Sequence, residues 1–282
     1  MSGANPGSVR ACPVALAALA ALSFSPGLAV RPEASPYLAP SRSPRVEPLP
    51  LPRPDVPWVA ILVDDAGDST GELDPFLSIE LPLSFAILPT AARPEEVDAH
   101  LAALGREVLV HLPMEPVDPA FVPVEGWLTT NMDEATLRKA FDADLVRVPH
   151  AMGANNHMGS RFTADESKMT VVLTRIRERG MYFLDSRTTA ETTCRAAAER
   201  LGLRFLERDV FLDNDAAPEA IAARFEDLVR IAREKGCALA IGHARPATAE
   251  AIRRFAAGRP TDVEVVPASR LVGRVCHPAG RP

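Results

Sequence analysis

The stretch Val59-Ala-Ile-Leu-Val-Asp-Asp-Ala-Gly67 is a short apolar run that breaks off at two adjacent carboxylates and a glycine. An unalternating apolar run of this length suits a strand buried on both faces, as in parallel sheets covered by helices. The design recurs along the chain, at Leu83–Leu88, Glu107–Val110, Met181–Leu184, Leu203–Leu206 and Ala238–Ile241. Helical segments with their own punctuation lie between these runs. Pro94 opens one and Gly105 ends it. Thr163-Ala-Asp-Glu166 reads as a capping box, with Gly180 closing that helix, and Pro218 opens another that Gly236 ends. Amphipathic patterns run over Met132–Val146 and Thr189–Leu201. About seven such β–α units fit between residues 58 and 270. The expected fold class is therefore α/β: a distorted (β/α) barrel of about seven parallel strands, in a single domain. An open doubly wound sheet is the alternative. A dinucleotide-binding version has little support, because no G-x-G-x-x-G follows the first strand.

The chemistry lies in the residues just past each strand. In parallel α/β folds the C-terminal strand ends face one crevice, where ligands bind. These ends read Asp64-Asp65, His111-Leu-Pro-Met-Glu115, Gly153-Ala-Asn-Asn-His157, Asp185-Ser-Arg187, Asp213-Asn214 and Ile241-Gly-His243. Singly, each also fits a loop residue or a helix cap; Asp65, for one, could be an N-cap. Two neighbouring carboxylates repel each other and are costly when buried, unless a cation or a shared proton intervenes. His111 and His157 are the natural partners of Asp65, since two imidazoles and a carboxylate form a common ligand set with open positions for water and substrate. His243 is a general acid or a further ligand. Glu115 could orient His111, Arg187 could pair with Asp185 or Asp64, and Asp213-Asn214 could bind hydroxyls. A buried hydrogen-bond network at a strand end accounts for these last residues equally well.

The bulk numbers bound the function. The chain has 282 residues and a formal net charge of -6, with no cluster of Lys or Arg. A nucleic-acid partner is not expected, because phosphate binding needs a dense basic face. Of the four cysteines, Cys12 leaves with the N-terminus, and Cys194, Cys237 and Cys276 cannot all pair, so a disulfide is optional. Arg10, the apolar run from Pro13 and the small residues before Ala29 match an export signal over 1–29. An uncleaved anchor is the alternative, and no later stretch approaches the length of a membrane span. Residues 30–57 are proline-rich and read as a disordered tether. The domain is expected over 58–275, with a tail over 276–282.

Taken in order, the runs Val63–Gly67, His111–Pro116, Asn155–Arg161, Phe183–Thr188, Arg208–Asn214 and Ile241–His243 resemble the divergent polysaccharide deacetylases. The resemblance implies a distorted barrel shared with the wider glycoside hydrolase/deacetylase superfamily, a bound divalent metal, and an exported protein. That superfamily uses one Asp as base, a second as metal ligand, and two histidines spaced H-x-x-x-H. This chain departs from the spacing: Glu115 stands four residues after His111, and the second histidine comes from another strand end, at His157. The expected mechanism is hydrolysis of an N-acetyl group on an envelope glycan. Asp65, His111 and His157 would hold Zn²⁺ or a similar ion, Asp64 would be the base and His243 the acid, and Asp185 and Arg187 would tune them. Two alternatives stay open: hydrolysis of another cell-wall amide or ester bond, and a non-catalytic metal-binding envelope protein on the same fold.

Overall fold

Eight parallel strands form a ring that begins and ends beside the first of them. In this computed structural model the described residues are Arg53, 56–273 and Cys276. The expected export signal, most of the proline-rich tether and nearly all of the tail lie outside them. The strands are β1 (Trp58–Ala66), β2 (Ser84–Ile87), β3 (Glu107–Met114), β4 (Gly153–Met158), β5 (Tyr182–Asp185), β6 (Phe205–Glu207), β7 (Val210–Phe211) and β8 (Cys237–His243), with a short β9 (Glu264–Val265) against β1. The order in the sheet is β6-β5-β4-β3-β2-β1-β8-β7. β6 pairs with β5 and β7 pairs with β8, all parallel. Only Arg208 and Asp209 separate β6 from β7, so one broken strand closes the ring. The Arg208 N–H donates to the Asp185 carbonyl on one side, and the Asp209 N–H to the Leu239 carbonyl on the other. With β6 and β7 counted as one strand, the distorted seven-stranded (β/α) barrel expected from the sequence is what forms.

The helices are α1 (Asp74–Leu77), α2 (Pro94–Ala103), α3 (Glu134–Arg147), α4 (Glu166–Glu178), α5 (Cys194–Leu201), α6 (Pro218–Lys235), α7 (Pro246–Gly258) and α8 (Ala268–Leu271). None among the described residues is long and apolar enough to cross a membrane. Strand side chains alternate between the two faces of the sheet, and two apolar layers divide accordingly. Val59, Ile61 and Val63 of β1, Val108 and Val110 of β3 and Ala154 of β4 pack with Leu137, Phe141, Leu173 and Ile221 from the helices. Ala60, Leu62, Leu109, Tyr182, Leu184, Leu239 and Ile241 fill the barrel, joined by Val266, Ala268 and Leu271 at its floor. Both faces are apolar, which is why these strands show no alternation in sequence. Tyr182 fits across the barrel because Gly153 faces it: a Cβ there would meet the Tyr182 ring at 2.6 Å. At the floor, buried Glu107 accepts hydrogen bonds from the Ser84 and Tyr182 hydroxyls and the Ser269 N–H.

Several local readings are corrected. The cap of α4 is Asp165, whose carboxylate accepts from the N–H groups of Ser167 and Lys168, whereas the Thr163 hydroxyl donates to the Gly159 carbonyl. α5 starts at Cys194 rather than near Thr189, because Thr192 turns back to bond Asp185. Cys237 and Cys276 form a disulfide, while Cys194 is free and buried. Ordered contacts start upstream of Trp58: Arg53 pairs with Glu264 and donates to the Thr261 carbonyl.

Asp144, buried on α3, has a carboxylate oxygen, Oδ2, with no hydrogen-bond partner. Burial pushes this carboxyl up to about 8 from 3.8, with Arg147 opposing only in part. A carboxyl whose pKa is raised on folding destabilises the native state progressively as pH climbs from the unfolded value to the folded one. Asp144→Leu, which cannot ionise, is therefore expected to stabilise the protein more at about pH 8 than at about pH 5, by about 2–4 kcal/mol. Thermal unfolding at the two pH values measures this, and an equal gain at both would rule out Asp144 as the titrating group.

Candidate metal centre and active site

β1 carries Asp64 at its C-terminal end, and by the alternation of Ala60 and Leu62 this carboxylate points into the barrel mouth. Its register partner is His243 of β8. His111 of β3 continues the inward series of Glu107 and Leu109, and its register partner is Asn155 of β4. Neighbouring strand residues normally point to opposite faces, yet Asp65 reaches the same mouth as Asp64. Two features turn it: a register irregularity between Val63 and Ala66, and a left-handed backbone at Asp65 with φ 62°. Asp tolerates that conformation better than most residues, though not freely. Gly67 follows with φ 135°, and a Cβ there would meet Ala91 at 2.7 Å.

Three donor atoms form a nearly equilateral triangle. Asp65 Oδ1 lies 3.3 Å from His111 Nε2 and 3.0 Å from His157 Nδ1, and the two ring nitrogens are 3.3 Å apart. Metal–ligand bonds of about 2.0–2.1 Å in tetrahedral array put neighbouring donors about 3.3 Å apart, so the triangle has the size of one tetrahedral face. Asp65 Oδ1 is buried and has no aligned hydrogen-bond donor. An orphaned carboxylate oxygen against two imidazoles is costly without a cation, and these residues fit one. Among the described residues this is the group of His, Cys, Asp and Glu side chains that could hold a metal ion. Burial alone would raise Asp65, but the two imidazoles draw it well below the usual carboxylate range. Burial would lower His111, yet Asp64 and Asp65 outweigh it and raise it.

Around the triangle stand groups of different character. Asp64 is buried, with Oδ2 3.6 Å from His111 Nε2; desolvation raises it, though His111 opposes. His243 Nε2 is 3.8 Å from Asp65 Oδ2. Its Nδ1 is 2.9 Å from Asp213 Oδ1, while Asp213 Oδ2 accepts from the His243 N–H and the Thr248 hydroxyl. Burial would raise Asp213, but these bonds leave it lowered and ionised. Aromatic rings flank both histidines, Trp127 edge-on to His157 at 6.0 Å and Phe211 beside His243 at 5.2 Å.

The structure thus brings Asp64, Asp65, His111, His157 and His243 together. It gives the other named residues different work. Asp185 is fully buried, and its oxygens accept from the Arg187 N–H and the Thr192 hydroxyl, so they hold their own loop; burial raises this carboxyl. The Arg187 guanidinium pairs with Glu207 rather than with Asp185 or Asp64, since a left-handed backbone at φ 50° turns it away. Glu115 accepts from the Thr130 N–H and hydroxyl and pairs with Arg161, so it anchors a loop instead of orienting His111. Asp213 binds His243 rather than a ligand hydroxyl, and Asn214 is exposed. The residue that sequence reasoning passed over is Asn155, fully buried between His111 and Asp64.

At the mouth of this (β/α) barrel stand a carboxylate–histidine triangle that could hold a metal ion and a histidine held separately by Asp213. Residues 61–272 match the model of the divergent polysaccharide deacetylases, and the chain belongs to that family. An uncharacterized protein of Haemophilus influenzae is 33% identical over 208 residues, covering 74% of each chain. The uncharacterized protein YibQ of Escherichia coli K12 is 33% identical over 215 residues, covering 76% of this chain and 67% of its own. The crystal structure of an uncharacterized protein from Agrobacterium tumefaciens C58 has the same fold, with a TM-score of 0.72 at 26% identity, covering 77% of this chain and 89% of the other.

Proposed function

We propose that this protein is a metal-dependent amide hydrolase that removes N-acetyl groups from an envelope carbohydrate. The observation that supports it is the donor triangle of Asp65, His111 and His157 with a raised carboxyl, Asp64, on one side and an Asp-held imidazole, His243, on the other. A divalent cation bound there, Zn²⁺ being the one this donor set suits, supplies a Lewis acid for the acetamide carbonyl and acidifies a water. Asp64 would take a proton from the attacking water as the water oxygen adds to the acetyl carbon. Burial has raised the carboxyl, which makes it a stronger base than a solvated one. His243 gives a proton to the departing amine as the C–N bond breaks, leaving acetate and a free amino sugar. Asp213 orients that ring through Nδ1. Trp127, partly exposed and edge-on to His157, is the aromatic side chain placed to meet a sugar ring. The test is acetate release from N-acetylated oligosaccharides, with and without added zinc. Zinc-dependent release supports the proposal, and its absence across chitin-type and peptidoglycan-type oligomers would count against it.

We further propose that the protein acts outside the cytoplasm. The Cys237–Cys276 disulfide supports this, because such bonds persist in oxidising compartments, as does the signal-like segment ending near Ala29. N-terminal sequencing of the mature protein is expected to begin close to Val30, and a cytoplasmic chain starting at Met1 would refute export.

A further inference from the structure

We propose that Asn155 is a positioning residue that fixes both the tautomer of His111 and the direction of Asp64. The His111 half stands on the cation site alone; the Asp64 half rests on the hydrolase reading above. Asn155 is fully buried on β4, beside His111 in register. Its Nδ2 donates to Asp64 Oδ1 at 2.9 Å and to Ser186 Oγ at 3.3 Å. Ser186 is held in turn, because its N–H donates to Asn156 Oδ1 at 2.8 Å. An ionised carboxylate only accepts, so the amide must present its NH₂ end to Asp64. The reverse orientation would set a carbonyl oxygen against a carboxylate oxygen in a buried site, which is strongly unfavourable. The remaining end, Oδ1, therefore faces His111 Nδ1, at 2.9 Å. An amide oxygen only accepts, so His111 Nδ1 must carry the hydrogen. In the neutral ring Nε2 then holds the lone pair, and Nε2 is the atom that faces Asp65 and His157. A histidine ligand needs this arrangement, since its distal nitrogen must be held as a donor. One amide, with one donating and one accepting end, thus couples the direction of the base to the metal-ready form of the ligand.

The test uses the full chain and zinc alone, with affinity read by calorimetric titration and the His111 tautomer by ¹⁵N shifts of the ring nitrogens in the metal-free protein. Asn155→Leu removes both bonds. It is expected to weaken zinc about 10–100-fold and to mix the His111 tautomers. Asn155→Asp keeps an acceptor for His111 but removes the donor to Asp64. It is expected to bind zinc no more weakly than wild type, while acetate release drops to the level of Asp64→Asn. Wild-type affinity with an unchanged tautomer in Asn155→Leu would overturn the proposal. So would zinc loss in Asn155→Asp as large as in Asn155→Leu, and this variant decides the matter if the leucine variant does not fold. Tight zinc binding in wild type and weak binding in Asn155→Leu, with no acetate released by either, would sink the hydrolase reading and leave the hold on His111 standing.

Discussion

Asp64→Asn is expected to leave zinc bound and to lower kcat for acetate release by about 10²–10⁴-fold, the usual contribution of a positioned base. The substitution keeps the shape of the side chain but removes the proton acceptor. Asp64 is not a corner of the donor triangle, so the three ligand atoms keep their spacing. The same reading sets a pH dependence. Burial raises the Asp64 carboxyl in the metal-free protein and a bound cation opposes it, so turnover should show an acid limb where Asp64 becomes protonated. As pH falls through that limb Asp64 takes up a proton and can no longer accept one from water. Steady-state rates across pH, with zinc content measured on the same samples, check both points. A variant with wild-type turnover would remove Asp64 from the mechanism.

The second large effect is on the metal. His111→Ala and His157→Ala each delete one corner of the triangle and are expected to weaken zinc by more than about 1,000-fold, since two protein donors hold a divalent ion poorly. His243→Ala should retain the metal, because its Nε2 stands 3.8 Å from Asp65 Oδ2 and outside the triangle. Zinc and protons compete for His111. Asp64 and Asp65 outweigh burial and raise its imidazole, so affinity should begin to fall at a higher pH than for an isolated histidine near 6.5. Equal affinities for His111→Ala and wild type in competition with a chelator would break the proposed ligand set.

The fold was legible in the sequence wherever burial on two faces wrote an unbroken apolar run, as in β1, β2 and β8. It was illegible in β4, which has no such run. Gly153 makes room for Tyr182, Asn155 and His157 face the mouth, and Asn156 bonds the Ser186 N–H and the Met158 carbonyl, so polar residues stand where an apolar run would mark the strand. The broken β6/β7 strand was hidden for a related reason: Arg208 and Asp209 interrupt it and close the ring by bonds to both neighbours.

In the site, Asp64, Asp65, His111, His157 and His243 could be found because a carboxylate or imidazole at the end of a buried strand has few structural uses. Asp185 and Arg187 looked equivalent by that test but stabilise the turn after β5. Which carboxylate holds its own loop and which faces the mouth depends on backbone angles, and the left-handed residues at Asp65 and Arg187 leave no mark in the sequence. Asn155 was missed because an asparagine carries no charge to announce it. One signal was present: two residues past Gly153 and two before His157, it shares the inward face with that histidine.

The most direct test is anomalous diffraction from crystals grown with zinc, collected on both sides of the zinc edge. The account predicts one strong peak at the barrel mouth, about 2.0–2.2 Å from Asp65 Oδ1, His111 Nε2 and His157 Nδ1. Zinc found only elsewhere, or no peak at that point at saturating zinc, would contradict it.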